Sequence, residues 1–141
     1  MSTPRSPIPR KYYRVSYQRF EEAEVLFGAG YYQGAVYLAG YAVECMLKAL
    51  ILIGSAEKDH ASIEAEFHGQ RGHQYEWLRY RYAQTRNPGL PSETGQSLAF
   101  VQTWDTSMRY NPGLGDRADA SRFLAETQKI LAWADNRISG A

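Results

Sequence analysis

Residues 31–54 read YYQGAVYLAGYAVECMLKALILIG, and this stretch decides the fold. From Gly34 to Ile53 every position except Glu44 and Lys48 is apolar, aromatic or small. A helix that is apolar around most of its circumference has to be enclosed by protein, so this segment is expected as the central element of a helical bundle. Glu44 and Lys48 stand four apart, which on a helix puts both on one face with the acid N-terminal to the base, the favourable order for a side-chain pair. Gly34 and Gly40 have helical neighbours and are read as points where another helix comes close.

The segments on either side have the same character. Pro4, Pro7 and Pro9 with Ser and Thr suit an extended, flexible arm over residues 1–10 that does not continue a helix. Between Lys11 and Phe27, the set Tyr13, Tyr17, Phe20, Glu24 and Phe27 recurs at spacings of three and four beside Val15, Ala23 and Leu26, which predicts an amphipathic first helix. Gly28-Ala-Gly30 ends it in a short turn, so the first two helices form an antiparallel hairpin. Residues 54–73 are rich in loop formers, with a short helix expected from Ser62 to Phe67. A second short helix is expected from His73 to Ala83, with Trp77 and Leu78 inward and Arg79 and Arg81 outward. Asn87-Pro-Gly-Leu-Pro91 stops it. Ser92 is placed to cap a helix carrying Leu98, Val101, Trp104 and Met108, closed by Asn111-Pro-Gly113. Asp116 or Asp119 caps the last helix, whose apolar face is Phe123, Leu124, Thr127, Ile130, Leu131, Ala134 and Ile138. No run alternates with a period of two. The expected class is therefore all-α, an antiparallel up-and-down bundle of four main helices plus one or two short ones, forming one domain over residues 11–139.

Length and charge narrow the function classes. A chain of 141 residues with 44% apolar composition, three Trp, five Phe and eleven Tyr is enough for one core. The net charge of +1 gives no bulk support to nucleic-acid binding. Cys45 is the only cysteine, so no intramolecular disulfide forms, and Glu44 and Lys48 interrupt the only stretch of membrane-spanning length. A cytoplasmic protein without a membrane segment is expected.

The run Leu38-Ala-Gly-Tyr-Ala-Val-Glu-Cys-Met-Leu-Lys-Ala-Leu-Ile51 resembles the HEPN family, small prokaryotic helical domains related to the helical half of kanamycin nucleotidyltransferase. The aromatic first helix ending near Gly28 agrees with it, as do a third helix closing on Trp104 and Arg109-Tyr110 and a last helix with Phe123, Leu124 and Trp133. The resemblance implies a nucleotidyltransferase-like partner and, for some members, toxin and antitoxin pairs. Active members are metal-independent ribonucleases that use an Arg followed four to six residues later by a His. In this chain His73 is the last histidine, so none follows Arg109 or Arg117. Arg71-Gly-His73 imitates the pair at the wrong spacing and in the wrong segment. This departure removes the main ground for expecting an enzyme, and no catalytic residue is assigned.

The remaining chemistry has a functional and a plainer reading in each case. Glu44 and Lys48 form either a ligand-binding couple or an internal ion pair, with Tyr41 or Tyr110 as a hydrogen-bond partner for Glu44. The candidate binding set is Tyr41, Glu44, Lys48, Arg109 and Tyr110. His60, His68 and His73 with Asp59, Glu64 and Glu66 match no metal-ligand spacing, so no metal or other cofactor is expected, and helix capping or partner contact suits the histidines better. Arg71, Arg79, Arg81 and Arg86 interleave with Tyr75, Trp77, Tyr80 and Tyr82 as in a single-strand nucleic-acid binder, yet core or interface packing explains them more simply. Cys45 reads as a small buried hydrophobe.

These readings lead to a non-catalytic HEPN-like interaction or nucleotide-binding module that associates as a homodimer or with a nucleotidyltransferase-like partner. The alternatives are a divergent ribonuclease or nucleotide-binding enzyme using Glu44, Lys48 and Arg109, and a small-ligand binder with a pocket between the second and third long helices.

Overall fold

The structure is a computed structural model that describes residues 3–85, 89–102 and 116–139. Its helices are α1 (Pro7–Gly28), α2 (Tyr32–Ile53), α3 (His60–Glu66), α4 (Tyr75–Ala83), α5 (Ser92–Val101) and α6 (Arg117–Ser139), with 3-10 turns at Glu57–Asp59 and Gln70–His73. No strand occurs among the described residues. Trp104, Met108, Arg109 and Tyr110 lie outside the described residues, as does Arg86.

Contacts between the helices give their directions. Gly30, at φ +89°, turns the chain from α1 into α2, a conformation a residue with a Cβ rarely adopts. Tyr13 and Tyr17 near the start of α1 donate to Asp135 near the end of α6, at 2.8 and 2.6 Å. At the other end the Arg117 guanidinium lies over the Phe27 ring, so α1 and α6 run antiparallel. Ser97 donates to Glu126 and Phe100 packs on Phe123, which makes α5 antiparallel to α6. The four helices α1, α2, α5 and α6 therefore alternate in direction, as an up-and-down bundle does. In α4, Tyr75 donates to the Gly40 carbonyl and Thr85, just past the helix, abuts Gly54. That helix runs parallel to α2, because residues 54–74 carry the chain back along the bundle first.

The centre is α2, as its composition requires. Fourteen of its 22 residues are buried, including Met46, Leu47, Ile51 and Leu52 at 0 or 1% exposure. By length and composition alone α2 would also cross a membrane; here its apolar surface is covered by the rest of the chain. The inner face of α6 comprises Phe123, Leu124, Thr127, Ile130, Leu131, Ala134 and Ile138, all buried, in agreement with the periodicity.

Some boundaries differ from the sequence reading. The arm expected over residues 1–10 ends sooner, since α1 begins at Pro7 and Pro9 is buried. The first backbone bond of α1 is Arg10 N–H to the Ser6 carbonyl, so both prolines occupy first-turn positions whose N–H would have no helical partner anyway. Ser92 is the first residue of α5 and not its cap, and Pro91 holds the cap position without a side-chain bond. Asp116 does cap α6, accepting from the Asp119 N–H at 2.8 Å.

Candidate functional site

The polar face of α2 is the place to begin, because Glu44 and Lys48 are its only charged residues. Lys48 Nζ lies 3.0 Å from Glu44 Oε2, with the two side chains 7% and 3% exposed. Removing both charges from water is costly, so such a pair persists only where the remaining hydrogen-bonding capacity is used as well. His73 uses it on the acid's side. Its Nδ1 lies 3.2 and 3.3 Å from the two Glu44 oxygens. The carboxylate accepts, so the ring nitrogen that faces it carries the proton. On the base's side, Lys48 Nζ sits 5.5 Å from the centre of the Phe67 ring and 5.9 Å from that of Tyr12, a cation between two aromatic faces.

The elements that deliver these groups have local reasons to do so. Gly72 is buried in the 3-10 turn, and its backbone lies against the Phe67 carbonyl so closely that only glycine fits. That approach seats the next residue, His73, over α2. Phe67 in turn meets Tyr12 and Trp77 edge to face, at 5.7 and 6.3 Å between ring centres. Tyr12 donates to Glu64 at 3.0 Å, and Lys11 pairs with the same carboxylate. The Lys11 ammonium holds the Glu64 carboxyl below its ordinary range, whereas burial raises the Tyr12 hydroxyl. Tyr75 behind the site is raised well above the ordinary phenol value by burial and by the Glu44 charge. Burial also pushes the Cys45 thiol up to about 11, helped by Glu44, which leaves it an unreactive packing group at neutral pH.

The site is therefore a buried carboxylate between a buried ammonium and a half-exposed imidazole. The His73 side chain is 51% exposed, and it is the part of the cluster that meets solvent. A ring fixed through Nδ1 offers its other nitrogen outward, as an acceptor when neutral and as a donor when protonated.

Of the sequence candidates, Glu44 and Lys48 are brought together, in the geometry of the internal pair. Tyr41 shares its hydroxyl with Tyr37 at 3.1 Å, while Arg109 and Tyr110 lie outside the described residues. The histidines separate. His60 is buried, and its Nε2 donates to the Leu52 carbonyl at 2.7 Å, capping the end of α2. His68 is exposed, and among the described residues no three His, Cys, Asp or Glu side chains form a metal-binding group. In the arginine and tyrosine segment, Tyr75 and Tyr82 are buried, Arg81 forks onto Glu66 at 3.0 and 3.3 Å, and Tyr80 is exposed. Its aromatic side thus packs mostly on the bundle.

Sequence reasoning named His73 but missed its pairing with Glu44. His73 lies 29 positions from Glu44, and the available signal was the neighbouring Gly72, one of several glycines in a loop-rich segment. Three concavities of about 670, 690 and 610 Å³ lie elsewhere on the surface, the first two where the C-terminal end of α2 meets His60 and Arg81 and the third between Arg19, Val25 and Leu38. None is lined by Glu44, Lys48 or His73.

Comparison with known proteins places the fold in a wider group. The HEPN domain family matches residues 10–137. No curated protein matches the chain. Among solved structures, the archaeal HEPN homologue ST0689 superposes with a TM-score of 0.63 at 20% identity, covering 98% of this chain and 99% of its own. TT1696 from Thermus thermophilus superposes with a TM-score of 0.65 at 20% identity, covering 91% of this chain and 96% of its own.

Proposed function

Because the chain belongs to the HEPN domain family, we propose that it is a HEPN-type interaction and nucleotide-binding module, non-catalytic by the family's ribonuclease route. In this reading it associates with a second copy of itself or with a nucleotidyltransferase-type partner, in a toxin and antitoxin or defence setting. The observation that carries the non-catalytic part is that the three histidines are His60, His68 and His73 and none follows Arg109 or Arg117. His73 is itself held by Glu44 and His60 by the end of α2. Proton transfer in the family pattern needs an imidazole placed after the arginine.

Association has separate support. Val25 and Tyr31 are 72% and 66% exposed around the turn between α1 and α2, with Leu26 and Leu38 half-buried nearby. Exposed aromatic and aliphatic groups together favour an interface, and two-fold pairing is the commonest closed form. Light scattering over the micromolar range tests it, with wild type expected at dimer mass and Val25→Glu shifted toward monomer. A monomer mass for wild type would leave only association with a different partner. Incubation with single-stranded and structured RNA in chelator tests the other half. Cleavage that Glu44→Gln, Lys48→Met or Arg109→Ala abolishes would replace the module with the divergent enzyme that uses those residues.

A further inference from the structure

We propose that the cavity of about 670 Å³ between the N-terminal arm and the C-terminal ends of α2 and α6 binds a free amino acid with a bulky apolar side chain. Its carboxylate would face Arg5, its ammonium Glu57 and His60 Nδ1, and its side chain Ile53 and Ile138. The site lies apart from Glu44 and Lys48, neither of which lines it, and it depends on neither dimerisation nor nucleotide binding.

His60 is the observation that marks the cavity as a site. The residue is 5% exposed and lines the cavity wall. Its Nε2 faces two carbonyl oxygens, those of Leu52 at 2.7 Å and Ser55 at 3.3 Å, so a neutral ring carries its proton there and presents Nδ1 as an acceptor. Nδ1 has no partner among the described residues, and it is not sealed inside the protein either. A buried acceptor open only to a cavity calls for a donor from whatever fills it.

The charges around the cavity are of both signs and remain separate. Arg5 and Glu57 both line it, and neither forms an ion pair with the other or with any described residue. The helix ends are sorted in the same way. Ser6, which precedes the first residue of α1, brings the positive end of that helix to the side of Arg5, whereas Ile53 and Ser139 are the last residues of α2 and α6 and bring two negative ends. An anion is favoured on the first side and a cation on the second, as a zwitterion requires. Pro4 and Pro9, both buried, fix the arm around Arg5 before a ligand arrives, which lowers the ordering cost of binding. The neighbouring concavity of about 690 Å³ offers no such pair, because its Arg81 is already forked onto Glu66.

The test is NMR of the histidine ring nitrogens of the full chain at pH 8, where imidazole is ordinarily neutral. The probes are L-phenylalanine, phenethylamine, which lacks the carboxylate, and 3-phenylpropionate, which lacks the ammonium. L-phenylalanine is expected to move the His60 Nδ1 signal saturably, with a Kd of about 1 mM or below, and to leave His73, bonded to Glu44, in place. Each truncated probe should bind about tenfold more weakly or worse, the loss of one charge-assisted contact. Arg5→Gln should weaken L-phenylalanine and 3-phenylpropionate but not phenethylamine, and Glu57→Gln should weaken L-phenylalanine and phenethylamine but not 3-phenylpropionate. Both positions are exposed, so these variants keep the fold and the readout. The proposal is overturned if L-phenylalanine leaves His60 unmoved, if the three probes bind wild type alike, or if either variant binds L-phenylalanine as wild type does.

Discussion

Gly72 stands against Phe67 backbone to backbone: a Cβ added to Gly72 would overlap the Phe67 carbonyl group. Contact that close lets the 3-10 turn dock on α3 and delivers His73 to Glu44. Gly72→Ala is expected to cost about 1–3 kcal/mol through forced backbone movement. In histidine NMR spectra the His73 signal should lose its dependence on Glu44 while the His60 signal stays. An unchanged His73 environment in the alanine variant would separate the turn's packing from the site.

Leu47 is 1% exposed at the middle of α2. Leu47→Ala is expected to destabilise the fold by about 2–5 kcal/mol, since the cavity it leaves is enclosed on all sides. Urea melts measure it, and a loss below about 0.5 kcal/mol would place the side chain at the surface.

Lys48→Met alone leaves the buried Glu44 with only the His73 ring as a hydrogen-bond donor, and Glu44→Gln alone leaves a buried ammonium facing two rings. Each single change is expected to cost about 3–5 kcal/mol, and the double change less than the sum, because the penalty comes from the unpaired charge and not from the missing pair. Additive losses in a double-mutant cycle would show that the two residues act separately.

Glu64 ties α1 to α3 through Lys11 and the Tyr12 hydroxyl, and its folded pKa is lowered. A depressed carboxyl pKa contributes stability that is present above the unfolded value and is lost as the pH falls through the folded one. The wild type should therefore lose more stability than Glu64→Gln does as the pH falls through and below the ordinary carboxylate range. Urea midpoints across that range test it, and parallel curves for the two proteins would discard the tether. High salt should change little of the Tyr12 bond and more of the exposed Lys11 pair.

The bundle and its central helix are legible in the sequence because they depend on local pattern. The apolar run of α2, the periodicity of α6 and an aspartate cap at Asp116 or Asp119, of which the structure uses Asp116, are each read within one or two helical turns, where side-chain spacing and backbone geometry are tied together. The pairing of Glu44 with Lys48 belongs to the same class, since four residues on one helix fix the distance. Pro7 and Pro9 show the limit of such reading: a proline signals equally a helix interrupted and a helix begun, and only the packing of Pro9 decided between them.

What the tertiary structure alone decided was which distant groups meet. Tyr13 and Tyr17 converge on Asp135 from 122 and 118 residues away, and His73 reaches Glu44 across 29. No periodicity carries that information, because such contacts arise from how the loop between α2 and α4 folds back and from a backbone approach at Gly72 that a single residue permits. Composition determined that α2 must be enclosed; the path of residues 54–74 determined that the one polar cluster on it opens to solvent through a histidine.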